Sequence, residues 1–359
     1  MKKMALILQG GGALGAFEYG VVTRLVELGW QPTAVSGVSI GAINAAAIAG
    51  AADGDVAANL RRMWAAITMP EVPWLPPSKQ GNLSMFGNPH FYWPRMDYLD
   101  MPRWTSLCST TPMYATLARN CDFEQINDPN HMRVAVTATD LQTGALSTFS
   151  NHIARGASVR TAGLGHRAWH TRLDPAHIMA SGSLPPGFAA TTIDGAQYWD
   201  GGLFSNTPID ALLNLLEPDE VDNLPIFVVD LFPTEGLPPP ADLIEVQTRI
   251  TALQYQNRFW AQFGGAGELS GFLDMLTQLQ RELPADSSLQ RSPAYLWLQR
   301  LRALKNLHVV QAASPTLTGG CDFSPYGVQQ AYQSGREAVE RHFAAARPHV
   351  AKELQAAAA

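Results

Sequence analysis

The chain has 359 residues, 46% hydrophobic and 16% charged, with a formal net charge of −6. That is ordinary globular composition, enough for one large α/β domain or a domain with an appendage. The mild negative charge argues against nucleic acid as a partner and against electrostatic capture by anionic lipid.

The first residues imitate a secretion signal with a short basic lead. However, Gln9 and the triplet Gly10-Gly11-Gly12 cut the apolar run to about half the usual minimum. Residues 4–8 read instead as a buried strand stopped by glycines. Residues 15–28 carry helical apolar spacing (Phe17, Val21, Val22, Leu25, Leu28), closed by Gly29 as a C-cap and Pro32 beyond. A second buried strand is expected over 33–38 and a small-residue buried helix over 40–52. Asp53 is expected to cap a further helix ending near Ile67. The uncharged stretch 34–52 is long enough to span a bilayer. It is poor in large apolar side chains, so a buried strand–turn–helix is the better reading.

From about 70 to 112 prolines recur and aromatics crowd between them, which excludes regular sheet and marks an inserted cap or loop region. Strands follow at 132–139 and 145–149, then at 196–199 before Asp200-Gly201-Gly202, and at 226–231. Strands alternating with helices imply a mostly parallel sheet sandwiched by helices. After Pro238-Pro239-Pro240 the chain turns mainly helical, over roughly 242–263, 267–283, 293–304 and 327–346, with one added strand at 307–312. The expected division is an α/β catalytic domain over 1–235 and a mainly helical C-terminal extension over 236–359. Cys108, Cys121 and Cys321 stand outside any C-x-x-C spacing, so no disulfide framework or zinc site is expected, and a reducing cytoplasm fits.

Gly37-Val38-Ser39-Ile40-Gly41 matches G-x-S-x-G between an expected strand and an expected helix. On such a turn the Ser39 hydroxyl is lifted clear of the sheet, and side chains at Gly37 and Gly41 would collide with neighbouring chain. The following helix directs positive dipole at the oxygen. The bland alternative is a tight turn with an idle serine.

Gly10-Gly11-Gly12-Ala13-Leu14-Gly15 lies between the first strand and first helix, where bare amides converge on an anion. It could be an oxyanion hole or, through Gly10, Gly12 and Gly15, a dinucleotide fingerprint. The fingerprint needs a carboxylate at the end of the second strand. That strand runs into Gly37-Val38-Ser39, and Glu27 falls inside the first helix, so the nucleotide reading fails its own requirement. Asp200, followed by Gly201 and Gly202, ends a short strand with nothing bulky beyond it. A water-poor pocket would make it basic enough to accept a proton from a serine.

In this order, glycine loop, elbow and Asp-Gly-Gly resemble the patatin-like phospholipase family over roughly residues 5–208. The resemblance implies a Ser–Asp dyad without histidine. Ser39 attacks an ester carbonyl, Asp200 accepts its proton, and amides of Gly10, Gly11 and Gly12 hold the oxyanion, with no cofactor and no metal. Residues 180–186 are similar to the family's segment upstream of the aspartate strand, where packing beneath the site is expected. Leu14 departs from the Arg or Lys found in many members, which weakens the inference to phospholipids. Residues 321–335 are similar to a tail of unknown function in one bacterial branch.

Other residues are weighed beside these. His166 and His170 have a metal-capable spacing only if helical, and Gly163 and Gly165 weaken a helix there. His177 or His308 could complete a Ser-His-Asp triad, the latter in Ser…Asp…His order. The aromatics Phe86, Phe91, Tyr92, Trp93, Tyr98 and Trp104 read as loop packing, some shaping the pocket mouth. Tyr255, Phe259 and Trp260 read as ordinary core.

The expected function is therefore hydrolysis of carboxylic esters, lipid or fatty-acyl esters among them, through an acyl-enzyme on Ser39. A triad esterase and a non-catalytic binding or scaffold protein stay open as alternatives. The sequence does not indicate oligomeric state and leaves peripheral membrane contact open.

Overall fold

The computed structural model describes residues 1–154, 166–233, 238–256, 266–284, 286–312 and 319–356. The chain opens with β1 (Lys2–Leu8), α1 (Gly15–Glu27), β2 (Trp30–Gly37), α2 (Ile40–Ala49) and α3 (Val56–Ile67). Asp55 caps α3 by accepting the Ala58 N–H. The expected cap, Asp53, lies two residues too early and accepts the Asp55 N–H instead. The stretch expected at 34–52 resolves into β2 and α2, and every residue of α2 is buried. Among the described residues no helix is long and apolar enough to cross a membrane.

The proline-rich insertion contains only short helical turns and one two-residue strand pair, β3 (Trp93–Pro94) with β4 (Cys108–Ser109). Its prolines lack the N–H groups a longer ladder needs. After α4 (Thr111–Asn120) come β5 (Arg133–Asp140), β6 (Leu146–Ser150), β7 (His166–His170), α5 (Pro175–Ser181), β8 (Thr191–Ile193), β9 (Ala196–Asp200) and β10 (Ile226–Asp230). The C-terminal part holds α6 (Leu243–Tyr255), α7 (Ala266–Glu282), α8 (Pro293–Arg300), β11 (Leu307–Gln311) and α9 (Pro325–Ala356). The helix expected over 242–263 is described as far as Tyr255; Phe259 and Trp260 lie outside the described residues.

The strands form one sheet in the order β11-β10-β1-β2-β5-β6-β7. The first five run parallel, whereas β6 and β9 pair antiparallel with β5. Side chains alternate between two cores, as the period of a strand requires. Met4, Leu6, Leu8, Phe227 and Val229 face α1, α2 and α9; Ala5, Ile7, Ile226 and Val228 face α7 and residues 211–216 and 301–304. The result is a sheet covered on both faces.

β2 pairs with residues 133–136 of β5, and β9 pairs with residues 138–140. β6 occupies the other edge of β5, so β2 and β9 lie end to end against the same edge. Their C-terminal tips, Gly37 and Asp200, therefore meet.

The C-terminal region is built into this body. β11 extends the sheet beside β10, and α9 packs along α1 so closely that the Tyr332 carbonyl oxygen would lie 2.0 Å from a Cβ on Gly20.

Candidate active site

Ser39 stands between the tip of β2 and the first turn of α2, at φ 57 and ψ −122. A non-glycine residue in that region stores strain of order 1–3 kcal/mol, so surrounding contacts must hold it there. Two of them bind its N–H: the carbonyl of Ser181 at 3.1 Å and the Ser181 hydroxyl at 3.0 Å. The glycines of the motif leave room for the turn. A Cβ on Gly37 would stand 2.3 Å from the Gly41 carbonyl oxygen, and one on Gly41 2.5 Å from that of Leu8. Ser39 itself is half-buried, and the N-terminus of α2 points its dipole at the hydroxyl.

Asp200 arrives from the opposite direction at the end of β9 and is 2% exposed. Its N–H donates to the Ser183 carbonyl at 3.0 Å, and its Oδ1 accepts the Gly202 N–H at 2.7 Å. Burial pushes its pKa up from 3.8 to about 6, against the opposing pull of the neighbouring Ser39 side chain and the Gly202 amide. Among the described residues no cation neutralises this carboxylate, and a buried carboxylate with a raised pKa is able to accept a proton. Gly201 is required by backbone proximity: a Cβ there would lie 2.3 Å from the Thr137 carbonyl oxygen. The segment expected merely to pack beneath the site does more, since Ser181 binds the N–H of Ser39 and Ser183 that of Asp200.

The glycine loop forms the third side. Gly12 adopts φ +58, and a Cβ on it would stand 2.1 Å from the Gly320 carbonyl oxygen. Gly15 lets the start of α1 close on Ile40. Among the described residues the N–H groups of Gly11 and Gly12 have no acceptor, which leaves two donors for an oxyanion. Gly10, expected as a third, is a correction: its N–H is bound by Asn206 Oδ1 at 3.0 Å. Its backbone instead touches the nucleophile, because a Cβ there would lie 2.9 Å from the Ser39 Cβ. Leu14 is half-buried at the start of α1.

Two site residues were not anticipated. Tyr255, read from its spacing as ordinary core, is half-buried beside Asp200 and Gly202. Its Cε1 lies 3.6 Å from where a Gly202 Cβ would stand, and burial, reinforced by the Asp200 charge, raises its phenol pKa. Asn206 links the glycine loop to the Asp-Gly-Gly turn. The only sequence signal for it was a polar amide between two loop residues and Thr207-Pro208, which is common in turns.

The histidines lie elsewhere. His308 stacks on Phe227 with ring centroids 4.9 Å apart and faces His342 at 3.3 Å. His177 closes the capping box of α5 with Asp174 and packs on Phe149. Neither is a hydrogen-bond partner of Ser39 or Asp200. His166 and His170 lie on strand β7, where a four-residue separation is about 13 Å, too far for a common ion. Among the described residues no cluster of His, Cys, Asp or Glu is arranged to hold a metal. The cap aromatics divide: Phe91 and Tyr92 are buried against Phe188, whereas Phe86, Trp93 and Tyr98 are exposed.

The sequence model of a family described as patatin-like phospholipase matches residues 6–213, more than half of the chain and all of the motif residues above. No curated protein matches. Among solved structures, VipD from Legionella pneumophila is similar at 14% identity with a TM-score of 0.42, over 96% of this chain and 67% of that one.

Proposed function

The chain belongs to the patatin-like phospholipase family, which implies lipid acyl hydrolysis, and on that premise we propose that it cleaves carboxylic esters through an acyl-enzyme on Ser39. The observation that carries the proposal is the meeting of the β2 and β9 tips, which sets the Ser39 side chain against a buried Asp200 whose pKa is lifted to about 6. At neutral pH that carboxylate is ionised yet far more basic than aspartate in water. Ser39 attacks the ester carbonyl as its proton passes to Asp200. The Gly11 and Gly12 amides receive the developing oxyanion, each supplying about 3 kcal/mol of transition-state stabilisation. Asp200 returns the proton to the leaving alcohol, then takes one from the water that hydrolyses the acyl-Ser39 ester.

Substrates are esters of fatty acids, lipids included. With Leu14 in place of a cation, the site lacks one attraction for a phosphate head group, which favours neutral esters. Residues 1–235 carry the reacting groups, and residues 236–359 complete the wall through Tyr255 and the turn at Gly319–Cys321. Hydrolysis of p-nitrophenyl esters of graded chain length, with Ser39→Ala and Asp200→Ala as controls, tests the reading. Wild-type rates in Ser39→Ala would overturn it.

A further inference from the structure

Asn206 is buried and uses its carboxamide in both directions. Oδ1 accepts the Gly10 N–H at 3.0 Å, while Nδ2 donates to the Gly10 carbonyl at 3.1 Å and to the Tyr255 carbonyl at 3.1 Å. The same Oδ1 would stand 2.7 Å from a Cβ on Gly10 and 3.0 Å from one on Gly202, so the amide fits tightly between two backbones. One side chain thus joins the glycine loop, the turn that holds Asp200 and the end of α6. Gly10 is in turn packed on Ser39.

We infer that Asn206 is a positioning residue of the acyl-transfer site, fixing the Gly10 peptide so that the next two amides, those of Gly11 and Gly12, face the carbonyl under attack by Ser39. The inference rests on the proposed Ser39–Asp200 chemistry. Its logic is geometric: by occupying the Gly10 N–H and carbonyl together, the amide sets the plane from which the following N–H groups project. A misplacement of about 1 Å in such donors is enough to cost about a hundredfold in rate. A merely structural asparagine would affect how much protein folds, without changing the chemistry of the folded fraction.

Asparagine is needed because it both accepts and donates. Asn206→Asp keeps the shape but cannot donate to Gly10 or Tyr255, and it sets a second carboxyl beside Asp200. The groups facing Asp200 are the Ser39 hydroxyl, the Gly202 N–H and the Tyr255 phenol, so the new charge meets no cation among the described residues.

The test measures kcat, KM and the pH profile of Asn206→Ala and Asn206→Asp on a short-chain p-nitrophenyl ester, per mole of site titrated with a fluorophosphonate. The expected result is a fall in kcat of about 10- to 100-fold for both, with KM within about twofold. In Asn206→Asp the acid limb should also move about one pH unit upward. Unchanged kcat per titrated site overturns the inference, and so does failure of both variants to fold, which would make the role structural only. The dyad reading fails separately: it is lost if Ser39→Ala and Asp200→Ala remain active, whatever the Asn206 variants do.

Discussion

Among the described residues Glu18 and Asp200 are the two most deeply buried carboxyl groups, one on α1 and one at the end of β9. Glu18, on α1, is held by the Asn44 amide at 2.8 Å, and Asn44 accepts the Trp64 indole N–H at 2.9 Å. Burial drives its pKa well up, and no cation offsets it. Asp200 is also raised by burial, yet its neighbours are the half-buried Ser39, held on a strained backbone, the Gly202 N–H and the Tyr255 phenol. The contrast teaches that a displaced pKa does not mark a catalytic acid or base by itself. What distinguishes Asp200 is its neighbour, a serine that is only half-buried. Glu18 has no such neighbour and serves the packing of α1 on α2.

That contrast can be broken at three places. The largest effect is expected at the nucleophile: Ser39→Ala should lose at least about 10⁴-fold in kcat while folding normally, read by ester hydrolysis and circular dichroism. Next comes Asp200→Asn, which removes the proton acceptor and should cost about 10³-fold or more. It should also stabilise the protein at pH 8. A carboxyl raised from 3.8 to about 6 in the folded state opposes folding once ionised, by up to about 3 kcal/mol. The sign is that this group's favourable contribution is complete below pH 4 and lost as pH rises through 6. Thermal unfolding of Asp200→Asn against wild type should therefore coincide at pH 4 and diverge at pH 8.

The smallest effect belongs to Glu18→Gln. Its kcat should stay within about twofold of wild type, since the side chain packs α1 on α2 through Asn44 and glutamine keeps its shape and hydrogen bonding. Its folded pKa is raised above 4.5, so its contribution to wild-type stability is complete below that pH and is lost as pH rises above it; the variant should lose less stability over the same rise. Large inactivation of Glu18→Gln at neutral pH would erase the distinction between the two carboxyls.

The sequence made one side of this comparison readable. Elbow and glycine loop are steric necessities written in consecutive residues: Gly37 and Gly41 flank a turn that admits no Cβ, and Gly12 takes a left-handed backbone. The helix and strand pattern of residues 2–67 was likewise legible, apart from the cap at Asp55, because apolar periodicity is local. What escaped depends on chain segments far apart. That the Gly10 N–H is already taken follows from Asn206, 196 positions later, whose Oδ1 accepts it. Tyr255 reaches the site only because α6 returns over the Asp-Gly-Gly turn. The antiparallel pairing of β9 with β5, which brings Asp200 to Ser39, has no signature in either strand alone. Nor did composition reveal that β11 and α9 belong to the same sheet and core.

The central claim is that Ser39 and Asp200 act as one unit, and the pH dependence of fluorophosphonate labelling reads this most directly. The account predicts a single adduct, located on Ser39 by mass spectrometry, forming at a rate that rises through pH about 6 and levels off above it. In Asp200→Asn that rise should disappear and labelling should be slow at every pH. An adduct on another residue, or a wild-type rate and pH profile in Asp200→Asn, would contradict it.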